Sequence, residues 1–86
     1  MIADIDGQAG FLAITNHRFI FVAQTRAGVG VVQEHLLSAA RNVEVVGRGR
    51  RQKLRVSWHG TENLISLHDQ DAVARLERHL TGHGLT

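Results

Sequence analysis

The chain has 86 residues, 43% of them hydrophobic, and a net charge of +2 with His neutral. This composition excludes a disordered chain, and a single small domain of this length has a stability margin of only a few kcal/mol. The absence of Cys excludes disulfides and thiolate metal sites. The N-terminal segment carries acids where a signal peptide would carry bases, and no run reaches the roughly 20 apolar residues of a membrane span. We therefore expect a cytoplasmic protein that folds as one domain over residues 1–86, with a tail at 81–86.

The first predicted elements are a short strand and a central hairpin. Residues 2–6 alternate weakly and form this short strand, or else a partly ordered lead-in, that ends at Gly7. Two apolar, β-prone runs at 11–15 and 18–24 then flank Asn16-His17, and Asn tolerates the positive φ that primed two-residue turns require. Both faces of the hairpin are apolar. Its strands therefore lie between two layers of the domain, which we favour, or have one face covered by a partner.

The middle of the chain continues the β pattern. The sequence predicts a loop at residues 25–30 and a long strand at 29–37. A single helical turn at 38–41 and a further strand at 43–46 follow. A strand at 51–59 shows the cleanest alternation, with Leu54, Val56 and Trp58 on one side and a basic stripe on the other. A last strand follows at 63–67.

An amphipathic helix is predicted at residues 71–80. Asp69 is its predicted N-cap, and Gly82 its C-terminal stop. Val73, Leu76 and Leu80 form a stripe at i, i+3 and i+7. Burial of such side chains contributes roughly 1.5–3 kcal/mol each, so we interpret the helix as structural.

The central hairpin carries a resemblance to a known family. Residues 10–21, Gly-Phe-Leu-Ala-Ile-Thr-Asn-His-Arg-Phe-Ile-Phe, resemble the G-x-L-x-I-T-N-x-R-x-I-F hairpin of GRAM and bacterial PH-like domains. Residues 36–45 are similar to the helical turn and strand that follow in those domains, and residues 53–56 to their K-L-x-V strand. The resemblance covers residues 10–80. It implies a mostly β fold, a PH-like partly open barrel of six or seven antiparallel strands capped by one C-terminal α-helix.

The resemblance also indicates a function class. PH-like domains bind phosphoinositides, peptides or other proteins, so it implies a binding module and not an enzyme. We expect a non-catalytic module for protein–protein interaction or self-association, with a protein partner or homo-oligomer, no cofactor and no small-molecule substrate. The apolar excess of the hairpin and of Val29, Val31 and Val32 would supply the interface if ordinary sheet packing leaves it uncovered.

The strongest surface signal is a basic segment at residues 48–55. Its candidate anion-binding or partner-binding residues are Arg48, Arg50, Arg51, Lys53 and Arg55. The alternative function is therefore binding of an anionic surface, either membrane phospholipid or, less favoured, nucleic acid. Binding of phospholipid would place the protein at the membrane periphery. The competing interpretation is a solvated strand face whose charges prevent aggregation. Eukaryotic lipid-binding PH domains carry bases around the loop between their first two strands, placed here at Gln8-Ala9, which has none.

The remaining polar candidates indicate structure more than chemistry. Arg18 matches the Arg of the family hairpin, and we expect a structural role in which it pairs with Asp4, Asp6 or Glu44. His79 and His83 have i, i+4 spacing, but Gly82 lies between them. Without Cys or an HExxH pattern, the sequence predicts no metal site. No set of nucleophile, base and acid converges, so it also predicts no catalytic residue.

Overall fold

The computed structural model describes residues 1–82, and within them it contains seven β-strands and one α-helix. The strands are β1 Ile2–Ile5, β2 Gln8–Ile14, β3 Arg18–Thr25, β4 Gly28–Leu36, β5 Ala40–Val46, β6 Lys53–Trp58 and β7 Thr61–Leu67. The helix, α1, spans Gln70–Gly82, and short 3-10 turns lie at Leu37–Ala39 and Gly49–Arg51. The mostly β fold class is confirmed, as is the closing helix. Of the predicted tail, residues 83–86 lie outside the described residues, and Thr81 and Gly82 belong to α1.

The seven strands form one curled, half-barrel sheet in the order β4-β3-β2-β1-β7-β6-β5. Each neighbouring pair is antiparallel. Strand β1 pairs with β2 on one side and with β7 on the other, so it joins a first half, β1–β4, to a second half, β5–β7. Strands β4 and β5 are the two edges. This architecture is compatible with the PH-like barrel that the sequence resemblance implies.

The core fills the concave side of the sheet. Alternate strand residues point into it because successive side chains of a strand face opposite sides. Its largest fully buried side chains are Trp58, Phe19, Phe21, Leu12, Leu37, Leu54, Ile65, Leu76, Val56 and Val73. The inward alternation predicted for β6 is therefore confirmed. The helix stripe is confirmed too, and α1 packs mainly against β5. The carboxylate of Asp69 caps the helix, since its Oδ1 accepts a hydrogen bond from Asp71 N at 2.9 Å.

Primed turns occur in two hairpins, β1–β2 and β6–β7. Neither is the central hairpin, for which the sequence predicts such a turn. Asp6-Gly7 connects β1 to β2 with φ of 52° and 89°, and His59-Gly60 connects β6 to β7 with φ of 52° and 88°. Positive φ at both central residues defines the type I′ turn, which matches the twist of the flanking strands.

The turn at Asn16-His17 is built differently. Asn16 is absent from the residues with positive φ, so the predicted primed turn is wrong. The hydroxyl of Thr15 accepts hydrogen bonds from the backbone N–H groups of His17, at 3.3 Å, and Arg18, at 3.0 Å. A Ser or Thr side chain that accepts local amides in this way stabilises a turn without left-handed backbone.

The central hairpin buries only one of its two apolar faces. Leu12 and Phe21 lie in the core, whereas Phe11, on the other face, is 54% exposed. The favoured expectation that both faces lie between layers is therefore wrong. A single curled sheet has one concave side to enclose, and α1 packs mainly on the second half, so the outer face of the hairpin stays exposed at Phe11.

Candidate functional site

A row of exposed apolar side chains crosses the outer face of the first half. Its members are directly paired across neighbouring strands: Ile2 with Phe11, Phe11 with Val22, and Val22 with Val31. Directly paired residues of antiparallel strands point to the same face. Ile2 is 60% exposed and Val31 58%, while Val22 is half-buried between its neighbours. We call these four residues the apolar row.

The surroundings of the apolar row extend it along β4. Val29, 74% exposed, is paired with Gln24, and Leu36 is exposed at the other end of the strand. The nearest charged pair is Arg18 Nη1 with Glu34 Oε2 at 2.9 Å, where the two charges neutralise each other. Contiguous exposed apolar patches are uncommon on soluble monomers and mark interaction surfaces.

Strand β4 is also a sheet edge, but a bulge interrupts it. Phe21 is paired with Gln33 and Val22 with Val31, so Val32 has no partner in the register. A bulge bends and twists an edge strand and makes it a poor template for a further strand. The outer face is therefore a better binding surface than the edge.

The basic segment divides into two parts. Arg48, Arg50, Arg51 and Lys53 are exposed on the 3-10 turn between β5 and β6 and at the start of β6. None of these four forms an ion pair with an acidic residue among residues 1–82. They form a compact cationic turn, as a candidate anion site requires.

Arg55 does not belong to that free charge. Its guanidinium donates a hydrogen bond to Glu44 on β5, and its Nε lies 3.5 Å from Glu62 Oε1 on β7. The hydrogen bond to Glu44, followed by the charges of Glu44 and Glu62, raises the pKa of Arg55 above its ordinary value. Arg55 thus connects three strands of the second half across their outer face.

Arg18 and the first loop also differ from expectation. Arg18 pairs with Glu34 and with none of the three carboxylates expected for it. Asp6 instead accepts hydrogen bonds from Asn63 Nδ2 at 2.6 Å and from Leu64 N at 3.0 Å. The loop between the first two strands is Asp6-Gly7, not Gln8-Ala9. It carries a carboxylate, where a phosphoinositide site of the eukaryotic kind would carry bases.

A groove lies between β2 and α1, with a volume of about 510 Å³. Its lining residues are Met1, Phe11, Leu12, Ala13, Ile14, Asp69, Ala72, Arg75 and His79. The floor is apolar, and one wall carries the guanidinium of Arg75 and the imidazole of His79 from α1. A smaller depression of about 200 Å³ between Arg75, Arg78 and His79 continues this cationic wall. We refer to this feature as the β2–α1 groove.

A second cleft, of about 430 Å³, lies where β4 faces the β6–β7 turn. The ring of His35 stacks on Trp58, with centroids 4.5 Å apart and planes 6° from parallel. Burial, and then the nearby His59, lowers the pKa of His35 below its ordinary value. Trp58 Nε1 is buried without a hydrogen-bond partner among the described residues. This stack is a direct contact between the first half and the second half.

Two further expectations from the sequence concern metal ions and the membrane. Within residues 1–82, no three His, Cys, Asp or Glu side chains lie close enough to hold a metal ion. Of the His79–His83 pair, His83 lies outside the described residues. No helix in the described part of the chain is long and apolar enough to cross a membrane.

Comparisons with known proteins do not assign this chain to a family. A scan against models of protein families finds no match, and a search of curated proteins finds none either. The PH-like resemblance therefore rests on the sequence pattern, with an architecture that is compatible with it.

Sequence reasoning identified one of the surfaces and missed another. The two-sided apolarity of the central hairpin is the signal for the apolar row, although the favoured prediction from it is a hairpin buried on both faces. The β2–α1 groove has no local signal, because its floor and its cationic wall are separated by more than fifty residues along the chain.

Proposed function

We propose that this chain is a non-catalytic, PH-like binding module of the cytoplasm that associates with another protein or with a second copy of itself. The apolar row on the outer face of the first half is the observation that carries the proposal. The row is contiguous across four strands. Covering its exposed apolar side chains removes them from water, which favours association.

The size of this face suits a specific interface. Four strands spaced about 4.8 Å apart make the face roughly 19 Å wide, and at about 3.3 Å per residue its length increases from about 13 Å at β1, with four residues, to about 30 Å at β4, with nine. Stable interfaces bury about 800 Å² on each partner, and solvent-accessible area exceeds flat area because side chains project. The outer face and its rim can supply an interface of this order.

The test is substitution of one member of the row by a charge. Val31→Lys places an ammonium group in the middle of the proposed interface, while Val31 makes no contribution to the buried core. We expect the affinity of self-association, measured by sedimentation, or the affinity for a captured partner to decrease at least tenfold. This is about the decrease that the loss of one interface anchor causes. The wild-type association should survive several hundred millimolar salt, because it is apolar.

A matched variant controls for the added charge. Ser57→Lys places the same charge on the outer face of β6 in the second half and should leave association unchanged. A wild-type chain that is monomeric at every concentration and retains no partner would contradict the proposal. Equal losses in Val31→Lys and Ser57→Lys would contradict the location of the interface.

A second function is favoured by the cationic turn. Its four exposed bases lack acidic partners among residues 1–82, so they are available to phosphate groups. The triple variant Arg50→Glu, Arg51→Glu and Lys53→Glu should lose retention on phosphatidylserine vesicles or duplex DNA while its circular dichroism is unchanged. Retention by the triple variant would eliminate this function. Arg55 is left out because its substitution would also break the contacts with Glu44 and Glu62.

A further inference from the structure

We propose that the β2–α1 groove binds a segment of a partner protein in which apolar side chains are followed by acidic residues. This inference rests on the proposed function in one respect, that the chain is a protein-binding module. It concerns a neighbouring surface that shares only Phe11 with the apolar row, and it names the chemistry of the partner.

The floor of the groove suits an apolar side chain. Leu12 and Ala72, fully buried, close its base, and Ala13 and Ile14 line it as half-buried side chains. The volume of about 510 Å³ lies within the range of pockets that hold ligands, about 300–1,000 Å³. Small residues at positions 13 and 72 leave the space that one or two partner side chains would fill.

The wall of the groove selects for negative charge. Arg75, Arg78 and His79 occupy positions i, i+3 and i+4 of α1, so they lie on one side of the helix. Among residues 1–82, Asp69 is the only carboxylate that lines the groove, and its Oδ2 lies 3.5 Å from Arg75 Nη2, a loose and exposed pair. Arg78 has no acidic partner among residues 1–82. A guanidinium binds a carboxylate with two parallel hydrogen bonds, so both Arg residues can engage an acidic segment.

The spacing of the two Arg residues sets the pattern of the ligand. The Cβ atoms of residues three apart on a helix surface are separated by about 5–6 Å. An extended segment places every second side chain on the same side, about 6.6 Å apart. The expected ligand therefore has an apolar pair followed by two acidic residues in alternate positions.

A protein segment fits this groove better than a membrane does. The apolar stripe of α1 is buried in the core, so the helix has no free apolar face to insert into lipid. The apolar surface available here is concave, and a flat bilayer cannot enter it. An acidic lipid surface is nevertheless a separate outcome of the experiment.

The experiment uses an array of labelled peptides with the whole chain. Each peptide contains an apolar pair followed by two Glu residues, and a matched array carries Lys at the acidic positions. We expect the acidic array to bind, and Arg75→Glu with Arg78→Glu to weaken that binding at least tenfold. Ala13→Glu should weaken it as well, because it places a carboxylate in the floor.

Matched controls separate the groove from the other surfaces. Arg48→Glu with Arg51→Glu makes the same charge change on the cationic turn and should leave peptide binding unchanged. Val31→Lys should leave it unchanged too, so failure of the apolar-row interface is distinguishable from failure of the groove. Loss of peptide binding in the Arg48 and Arg51 variant alone would overturn the inference. Equal binding of the Lys array, or binding to phosphatidylserine vesicles with no binding to any acidic peptide, would also overturn it.

Discussion

The two halves of the sheet bury the same kind of side chain inside and present opposite surfaces outside. In the first half, the outer face carries the apolar row and the neutralised pair of Arg18 and Glu34. In the second half, the outer face carries Arg55 between Glu44 and Glu62. Since both halves belong to one sheet, this difference is not required by the fold. The large exposed apolar side chains of the sheet therefore lie on the first half.

The two sheet edges differ in the same sense. Strand β5 is contacted by α1, and its register is irregular between Arg41 and Glu44. Strand β4 has no covering element among the described residues and relies on its bulge. Covered and bulged edges both resist unwanted strand pairing. In the first half the bulge thus disfavours pairing at the edge, while the outer face keeps its exposed apolar side chains.

The largest expected effect comes from crowding the interior of the first half. A Cβ on Gly10 would lie 2.8 Å from Phe21 Cζ and closer still to the carbonyl oxygen of Val22. Gly10→Ala should therefore lower the free energy of unfolding by about 1–3 kcal/mol, the usual cost of overpacking. Urea denaturation monitored by circular dichroism measures this change.

Gly30 provides the matched control in the same half. A Cβ there meets no atom within 4 Å, and its φ is not in the left-handed region. Gly30→Ala should stay within about 0.5 kcal/mol of the wild type. Similar losses for the two variants would show that close packing of β2 against β3 does not govern the stability of the first half.

The contact between the halves should respond to pH. The pKa of His35 is lowered from its ordinary value of 6.5, so the unfolded chain takes up a proton more readily than the folded one. Neutral His35 makes its full contribution to the free energy of unfolding above the ordinary pKa of 6.5. That contribution is lost as the pH falls from 6.5 towards the lower pKa of the folded state. The urea midpoint should therefore decrease between about pH 7.5 and about pH 5.5.

His35→Phe isolates this effect. The variant keeps a ring against Trp58 and removes the titrating group, while His59 and the carboxylates remain. Its urea midpoint should depend less on pH than that of the wild type. If the two pH profiles are parallel, protonation of His35 does not weaken the contact between the halves.

The smallest expected effect lies on the outer face of the second half. Arg55→Met should lower stability slightly at low salt, and the difference from wild type should vanish in concentrated NaCl, because exposed ion pairs are screened. Val31→Lys measured in the same way should not show this salt dependence. A loss in Arg55→Met that persists at high salt would mean that packing of its alkyl chain, and not charge, holds these strands.

The inward-facing residues were predictable because alternation is a local signal. Leu54, Val56 and Trp58 follow period two without interruption, and Val73, Leu76 and Leu80 follow the helical period. The turn at Asn16 was not predictable from backbone preference alone, since the hydroxyl of Thr15 supplies a competing solution. Asp6-Gly7, by contrast, carries the standard dipeptide of a type I′ turn, so the sequence contains a direct local signal for the hairpin of β1 and β2.

The candidate binding surfaces were less predictable than the core. Apolarity on both sides of a strand does not say which side is covered, because coverage depends on how far the sheet curls and where α1 packs. Arg55 had the appearance of a free base in its strand, and only the register of β5 and β7 brings Glu44 and Glu62 beside it. The β2–α1 groove is a tertiary feature in the same sense.

The position of β1 has a consequence for the order in which the protein folds. Only four residues long, this strand hydrogen-bonds to β2 and also to β7, more than fifty residues further along the chain. During synthesis β1 can pair with β2 at once, but its other side has no partner until residues 61–67 leave the ribosome. Because such long-range pairing is slow to form, closure of the sheet at β1 is expected to be the late step of folding. In this order of events the four strands of the first half pair as a meander before the second half joins them at β1.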